Sequence, residues 1–168
     1  MATLLELILK GELVRLSPEL DADRVESRWF YLTPRLKDLF DNKLPGMGST
    51  WRIEQSPIEQ VDFLLSHFAE GEPLAYSTMF RHLRHHSGFV WELKTADVRI
   101  FGWFAKKDHF VGHSLEHKQT LVDVPGLVTG YASEVVRYVE SLDLDEPKFI
   151  AGDDPSHVVS NFYIADPS

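Results

Sequence analysis

The segment 89–115 constrains the fold most strongly, because its apolar and polar residues alternate as they do in half-buried strands. Turn sequences at 95–97 and 106–108 divide this segment into three strands. Connections this short join neighbouring antiparallel strands, so the segment predicts a three-stranded meander. The side chains of the middle strand fall on two faces, an inward one with Val98, Ile100 and Phe104 and an opposite one with Arg99, Phe101 and Trp103.

Helix signals flank this meander. Thr33 and Ser56 are each followed by proline, which is the usual order of an N-cap and a first helical residue, and Glu59 completes a capping box with Ser56. Apolar spacing predicts further helices at 4–9, which Gly11 would end, at 131–139, and from Leu74 to about 85–88. Alternation at 51–55 predicts one more strand.

Together these elements predict an α+β fold with a small, mainly antiparallel sheet packed by helices and an N-terminal helical extension. Residues 1–50 are interpreted as an accessory region, 51–150 as the main domain, and 151–168 as a polar C-terminal tail. A length of 168 residues, 43% of them hydrophobic, is enough for one sizeable core.

The composition excludes several classes of function. The chain has no cysteine, so disulfides and thiolate chemistry are excluded, and a cytoplasmic location is expected. No stretch approaches the roughly 20 apolar residues of a membrane span, so no membrane partner is expected. No phosphate-binding glycine loop, nucleophile elbow or dinucleotide fingerprint is present.

The basic segment, residues 81–118, differs from the rest of the chain. It holds six of the eight histidines, and seven Lys and Arg residues against four acidic ones. The chain as a whole has a formal charge of −9, so the basic segment is +3 and the remainder −12. Affinity for an anion should therefore concentrate in the basic segment.

The order of elements and three short motifs resemble the RelE/HigB superfamily of bacterial and phage toxins, in particular its phage-derived HigB-like branch. The motifs are Phe-Val-Trp-Glu-Leu-Lys at 89–94, Val-Arg-Ile-Phe-Gly at 98–102 and His-Lys at 117–118. The resemblance covers about residues 51–140. It implies a toxin of a toxin-antitoxin system, that is, a metal-independent, ribosome-dependent endoribonuclease that cleaves mRNA. The implied partners are an antitoxin protein, the ribosome and mRNA, with a homodimer as a further expectation.

The resemblance also implies which residues act. Arg99 matches the arginine of the second meander strand, Lys118 the basic position after the third strand, and Lys94 more weakly the lysine that ends the first strand. Guanidinium geometry suits Arg99 to a bidentate phosphate contact, and a histidine at 117 or 113 could exchange protons near neutral pH. The predicted catalytic residues are Arg99, Lys118 and His117, and the predicted RNA-binding residues are Lys94, Phe101, Trp103, Lys106, Lys107 and His113.

A non-catalytic interaction module is the alternative. In this interpretation the same fold binds a protein partner, and Arg99 only covers the neighbouring aromatic rings with its aliphatic stem. The strongly acidic composition favours this alternative, because an overall negative field opposes binding to the ribosome.

A His-based metal protein is the third hypothesis, because His109, His113 and His117 recur every four residues. Along a strand, however, residues four apart lie roughly 13 Å from each other, too far to share one ion. No metal and no cofactor are therefore expected.

Overall fold

The computed structural model describes residues 1–50, 53–84 and 88–164, which form a mixed α+β fold. The strands are β1 (Val14–Leu16), β2 (Trp29–Leu32), β3 (Leu74–Tyr76), β4 (Phe80–His82), β5 (Trp91–Lys94), β6 (Val98–Lys106), β7 (His109–His117) and β8 (Phe162–Ile164). The helices are α1 (Leu4–Leu9), α2 (Pro34–Asn42), α3 (Pro57–Ala69), α4 (Lys118–Asp123), α5 (Leu127–Ser141) and α6 (Pro155–Val158), with a 3₁₀ turn at Leu44–Gly46. None of these helices is long and apolar enough to cross a membrane.

The described strands form one sheet of eight, in the order β1-β2-β7-β6-β5-β4-β3-β8. The predicted antiparallel meander is confirmed as β5, β6 and β7. The sheet is larger and more mixed than the small antiparallel one that we expected, because β2 pairs with β7, β3 with β4 and β3 with β8 in parallel. The segments 1–50 and 151–168 supply β1, β2 and β8, so both contribute to the same sheet as the meander.

The predicted N-caps are confirmed. Thr33 accepts a hydrogen bond from the Leu36 N–H at the start of α2, and Ser56 accepts one from the Glu59 N–H at the start of α3. The predicted helices at 4–9 and 131–139 correspond to α1 and to part of α5.

The helix predicted from Leu74 is wrong. Leu74 and Phe80 belong to β3 and β4, and both are buried in the sheet. Between them Ser77 has a φ of 75°, in the left-handed region, which turns the chain sharply. The expected end of that helix at 85–87 lies outside the described residues. Trp51 and Arg52 of the strand predicted at 51–55 also lie outside them, and 53–55 have no strand structure.

Helices cover both faces of the sheet. On one face, Val98, Ile100 and Phe104 of β6 pack with apolar residues of α3 in one core cluster. On the other face, Phe101 and Trp103 pack with Ala132, Val135 and Val139 of α5 in a second cluster. The predicted division of the β6 side chains between two faces is therefore confirmed. Since helices pack on both faces of β6, a functional surface on this strand lies at its ends rather than at its middle.

Candidate anion-binding site

A cavity of about 550 Å³ opens beside the turn between β5 and β6. Among the described residues, three basic side chains line it, those of Lys94, Arg99 and Lys118. Phe63 and Leu64 of α3 form part of an apolar wall. We call this space the cation cavity. The structure thus brings together three of the residues that the sequence predicted.

Strand pairing explains why the three cations converge. Lys94 and Arg99 are directly opposite each other on the antiparallel strands β5 and β6, so their side chains share one face. Lys118 begins α4 at the end of β7, and its N–H donates to the Asp97 carbonyl 2.7 Å away. Like charges opposite each other on neighbouring strands are destabilising. An anion bound between the two cations would remove this repulsion.

Arg99 is held rigidly at the cavity. Arg99 is only 8% exposed. Its Nη1 donates hydrogen bonds to the carbonyl oxygen of Val98, at 3.1 Å, and to that of Thr95. Burial lowers the pKa of Arg99, while Glu92 partly offsets that effect. A guanidinium stays protonated throughout the physiological range. Arg99 therefore presents a fixed, poorly hydrated positive charge to the cavity.

Lys94 is half-buried and has an unusual ionisation. Burial, and after it the positive charges of Arg99, Arg81 and Lys118, lower its pKa to about 8, while Glu92 partly opposes the shift. Its Nζ donates a hydrogen bond to the Ser77 carbonyl at 2.7 Å. A lysine with this pKa has a substantial neutral fraction at slightly alkaline pH, so its amine can accept a proton.

A buried hydrogen-bond network fixes the turn that carries these cations. The Gln60 amide of α3 donates to Asp97 Oδ2 at 2.7 Å and accepts from the Asp97 N–H at 3.0 Å. Thr95 Oγ1 also donates to Gln60 Oε1, at 2.9 Å. Burial raises the pKa of Asp97, but hydrogen bonds, first that from Gln60, outweigh burial and hold the pKa below its usual value. The turn is therefore fixed to α3 by hydrogen bonds without a bound ligand.

His117 is placed beside this network rather than in the cavity. Its Nδ1 accepts from the Gln119 N–H at 3.1 Å as the N-cap of α4, so the proton of the neutral ring lies on Nε2. Nε2 donates to the Gly48 carbonyl at 3.0 Å. Both ring nitrogens are therefore engaged in holding the backbone, and the structure gives His117 a positioning role.

Phe101 and Trp103 are fully buried beneath α5. Phe101 stacks on Tyr131 with ring centroids 5.2 Å apart, and the Trp103 indole N–H donates to the Lys148 carbonyl at 3.1 Å. Neither ring has an exposed face on which a base could stack. The sequence correctly placed them on the face of Arg99 but did not show that α5 covers that face.

His113 lies apart from the cation cavity. It stacks on Tyr138 at 4.5 Å, and its Nδ1 lies 2.9 Å from Thr33 Oγ1. Burial, together with a smaller effect of the Arg35 charge, lowers the pKa of His113 to about 4.

Lys106 and Lys107 also lie apart from the cation cavity. Both are exposed near the tip of the β6–β7 hairpin. Lys106 is seven residues from Arg99, a separation of roughly 23 Å along a strand.

Phe63 is a site residue that the sequence interpretation missed. It is 60% exposed at the cavity wall, and its ring stacks on His67 with centroids 5.8 Å apart. The sequence contained a sign of its exposure, because Phe63 falls outside the apolar face that Val61, Leu64 and Phe68 form on α3. An exposed aromatic ring beside three cations can hold the planar part of an anionic ligand.

The three evenly spaced histidines of β7 do not meet. Phe101 pairs with Ser114 and Gly102 with Gly112, so His113 is the extra residue of a β-bulge. His109 instead stacks on Trp29 at 4.7 Å, far from the cap at His117. Within 1–50, 53–84 and 88–164, no three His, Asp or Glu side chains are grouped so that they could hold a metal ion.

Comparison with known proteins gives no match for this chain, whether with protein-family models, with curated proteins or with solved structures.

Proposed function

We propose that the cation cavity binds a phosphate of an RNA strand and that the protein cleaves the strand through the adjacent 2′-hydroxyl. One observation carries this proposal: Lys94, Arg99 and Lys118 converge on one cavity beside the exposed ring of Phe63. The RelE/HigB-like interpretation belongs to the same proposal, with mRNA, the ribosome and an antitoxin as partners in the cytosol. The antiparallel meander that carries Arg99 supports it.

Phosphate and base would occupy different parts of the cavity. The fixed guanidinium of Arg99 suits bidentate contact with two phosphate oxygens. Lys94 and Lys118 add charge, and Phe63 supplies a surface on which a base can stack, a contact worth about 1–3 kcal/mol per base. The acidic remainder of the chain disfavours contacts elsewhere, so RNA would bind through this local patch.

The same residues can assist cleavage. Neutral Lys94 accepts the proton of the 2′-hydroxyl, whose oxygen then attacks the phosphorus. Arg99 stabilises the additional negative charge of the phosphorane, and the Lys118 ammonium donates a proton to the 5′-oxygen as its bond to phosphorus breaks. The products are a 2′,3′-cyclic phosphate and a 5′-hydroxyl. Lys94 takes the proton-transfer role for which the sequence suggested a histidine, because both ring nitrogens of His117 are engaged elsewhere.

Transcript cleavage tests the proposal. Purified protein is added to translating lysate and to naked RNA, and the new ends are analysed for cyclic phosphates. Lys94→Gln, Arg99→Gln and Lys118→Gln should each lower cleavage by about a hundredfold or more, as expected for loss of a general base or of a charge-stabilising group. Lys10→Gln and Arg137→Gln are the matched controls, since both side chains are exposed and line no part of the cavity. RNA that stays intact with folded wild-type protein under both conditions would refute the nuclease.

A non-catalytic interaction module is the second candidate. Leu5 and Leu9 of α1 favour it, because these large apolar side chains are 64% and 78% exposed. Two results together would support this candidate. The wild type would bind a protein partner that the Leu5→Ser variant does not bind, and the wild type would leave RNA uncut.

A further inference from the structure

A second cavity, of about 400 Å³, lies next to the cation cavity, and Ser77 lines both cavities. It lies at β4, with Arg81, His82 and Arg84 on its wall. We call it the His82 cavity. Ser77 has a left-handed backbone conformation that residues other than glycine adopt rarely, and such conformations cluster at functional sites.

His82 is one of several buried residues whose side-chain polar atoms lack a hydrogen-bond partner among the described residues. It is only 7% exposed, and neither ring nitrogen has a hydrogen-bond partner in the described part of the chain. Its ring packs edge-on against Trp91 with centroids 5.0 Å apart, a contact that a phenylalanine would make without burying polar atoms. Buried polar groups are normally satisfied, so the ring nitrogens of His82 keep a hydrogen-bonding capacity that the described residues do not use.

The charge at this cavity selects an anion. Arg84 is exposed and has no carboxylate partner among the residues that the structure describes. Arg81 is half-exposed and lies 2.8 Å from Glu92 Oε1, so its own charge is partly balanced. The imidazole N–H of His82 can donate one hydrogen bond, and Arg84 can provide the charge and further donors.

We propose that the His82 cavity is a second phosphate subsite, which holds the phosphate adjacent to the one in the cation cavity on the same RNA strand. This inference rests on the proposed function. Adjacent phosphates of a strand are joined through a single ribose, and the two cavities share one lining residue, Ser77. RNA would thus pass over Ser77, with Arg99 on one side and His82 on the other.

Two ligands distinguish the subsites. The first is a 2′-deoxy dinucleoside with one phosphodiester, and the second is a 2′-deoxy trinucleotide with two, neither of which can be cleaved through a 2′-hydroxyl. Titration calorimetry at pH 7 measures both against wild type, His82→Phe, Arg84→Gln and the control Arg137→Gln. His82→Phe keeps the ring and its Trp91 contact but removes both nitrogens. Arg84→Gln changes an exposed side chain, so it keeps the test valid if the buried substitution impairs folding.

The proposal expects wild type to bind the trinucleotide about tenfold more tightly than the dinucleoside, the effect of one charge-assisted contact. His82→Phe and Arg84→Gln should remove that advantage and leave dinucleoside affinity unchanged. Replacing either phosphodiester of the trinucleotide by a neutral methylphosphonate should lower its affinity for wild type by the same factor of about ten. The same replacement should not lower its affinity for Arg84→Gln further.

Other outcomes show whether the proposed function or only the second subsite is wrong. If wild type binds neither ligand, the proposed function fails and this inference with it. If both ligands bind but the two variants weaken both equally, or weaken neither, the second subsite is refuted while the cation cavity stands. An equal loss in Arg137→Gln would mean that only overall charge matters, which also refutes the subsite.

Discussion

Lys94 of β5 hydrogen-bonds to Ser77, with its Nζ 2.7 Å from the Ser77 carbonyl oxygen. This bond links β5 to the turn between β3 and β4, and it holds the amine in the cation cavity beside Ser77, which lines both cavities. The Lys94 N–H strengthens the same connection by donating to the Met79 carbonyl at 2.8 Å. The lysine with the lowered pKa is therefore held in place, and its ionisation should control the chemistry of the cation cavity.

The rate of RNA cleavage should depend on pH through Lys94. Its pKa is lowered to about 8, so the neutral amine that accepts the proton is scarce at pH 6 and dominant above pH 8. We expect kcat/KM to rise about tenfold per pH unit below this value and to level off above it. A pH–rate profile measures this dependence. Residual activity of Lys94→Gln should show no such rise, and an unchanged profile in that variant would assign the proton transfer to another group.

Arg99 should set the pKa of Lys94. Burial is the main cause of the lowered value, and Arg99 is the largest of the electrostatic contributions. Arg99→Gln removes a positive charge from the residue opposite Lys94, so the protonated amine becomes more stable and its pKa should rise above 8. Titration of the lysine Cε and Nζ resonances by NMR measures the shift directly. Arg137→Gln should leave the pKa unchanged, and an equal rise in both variants would mean that Lys94 responds only to net charge.

Local patterns in the sequence were sufficient to predict part of the structure. Alternation defined β5, β6 and β7, and Thr33 and Ser56 marked two helix starts. The strand pair at 74–82 was misinterpreted because an apolar residue at 74 and others at 79, 80 and 83 fit helical spacing equally well. The parallel pairing of β2 with β7 joins residues about 80 positions apart in the chain, and no local pattern specifies it.

The candidate site was predictable only where it lies on the meander. Lys94, Arg99 and Lys118 were identified from a resemblance, and the strand register brings them together. Phe101 and Trp103 were misassigned as accessible because their burial depends on the docking of α5, a contact distant in sequence. Gln60 and Phe63 became visible only when α3 was placed against the β5–β6 turn.

Gln60 should contribute to stability. Gln60→Ala leaves Asp97 without two hydrogen bonds in a buried position, at a cost of about 1–3 kcal/mol in the free energy of unfolding. Gln60→Glu places a second carboxylate against Asp97, so at pH 7 it should destabilise the protein more than alanine does. Its deficit relative to wild type should shrink as pH falls and one carboxylate is protonated. Urea unfolding at pH 7 and pH 5 measures both variants, and equal losses at both pH values would contradict the predicted carboxylate repulsion.

His113 should make the protein less stable in acid. Burial lowers its pKa to about 4, whereas an unfolded histidine titrates near 6.5, so between these values the unfolded chain binds more protons than the folded one. The free energy of unfolding must therefore fall as pH drops from 6.5 towards 4. His113→Gln can still hydrogen-bond Thr33 but does not titrate, so it should flatten this part of the stability curve. Urea unfolding between pH 4 and pH 7 tests the difference in slope, with His157→Gln as the exposed control. A curve for His113→Gln as steep as that of wild type would show that another group causes the acid sensitivity.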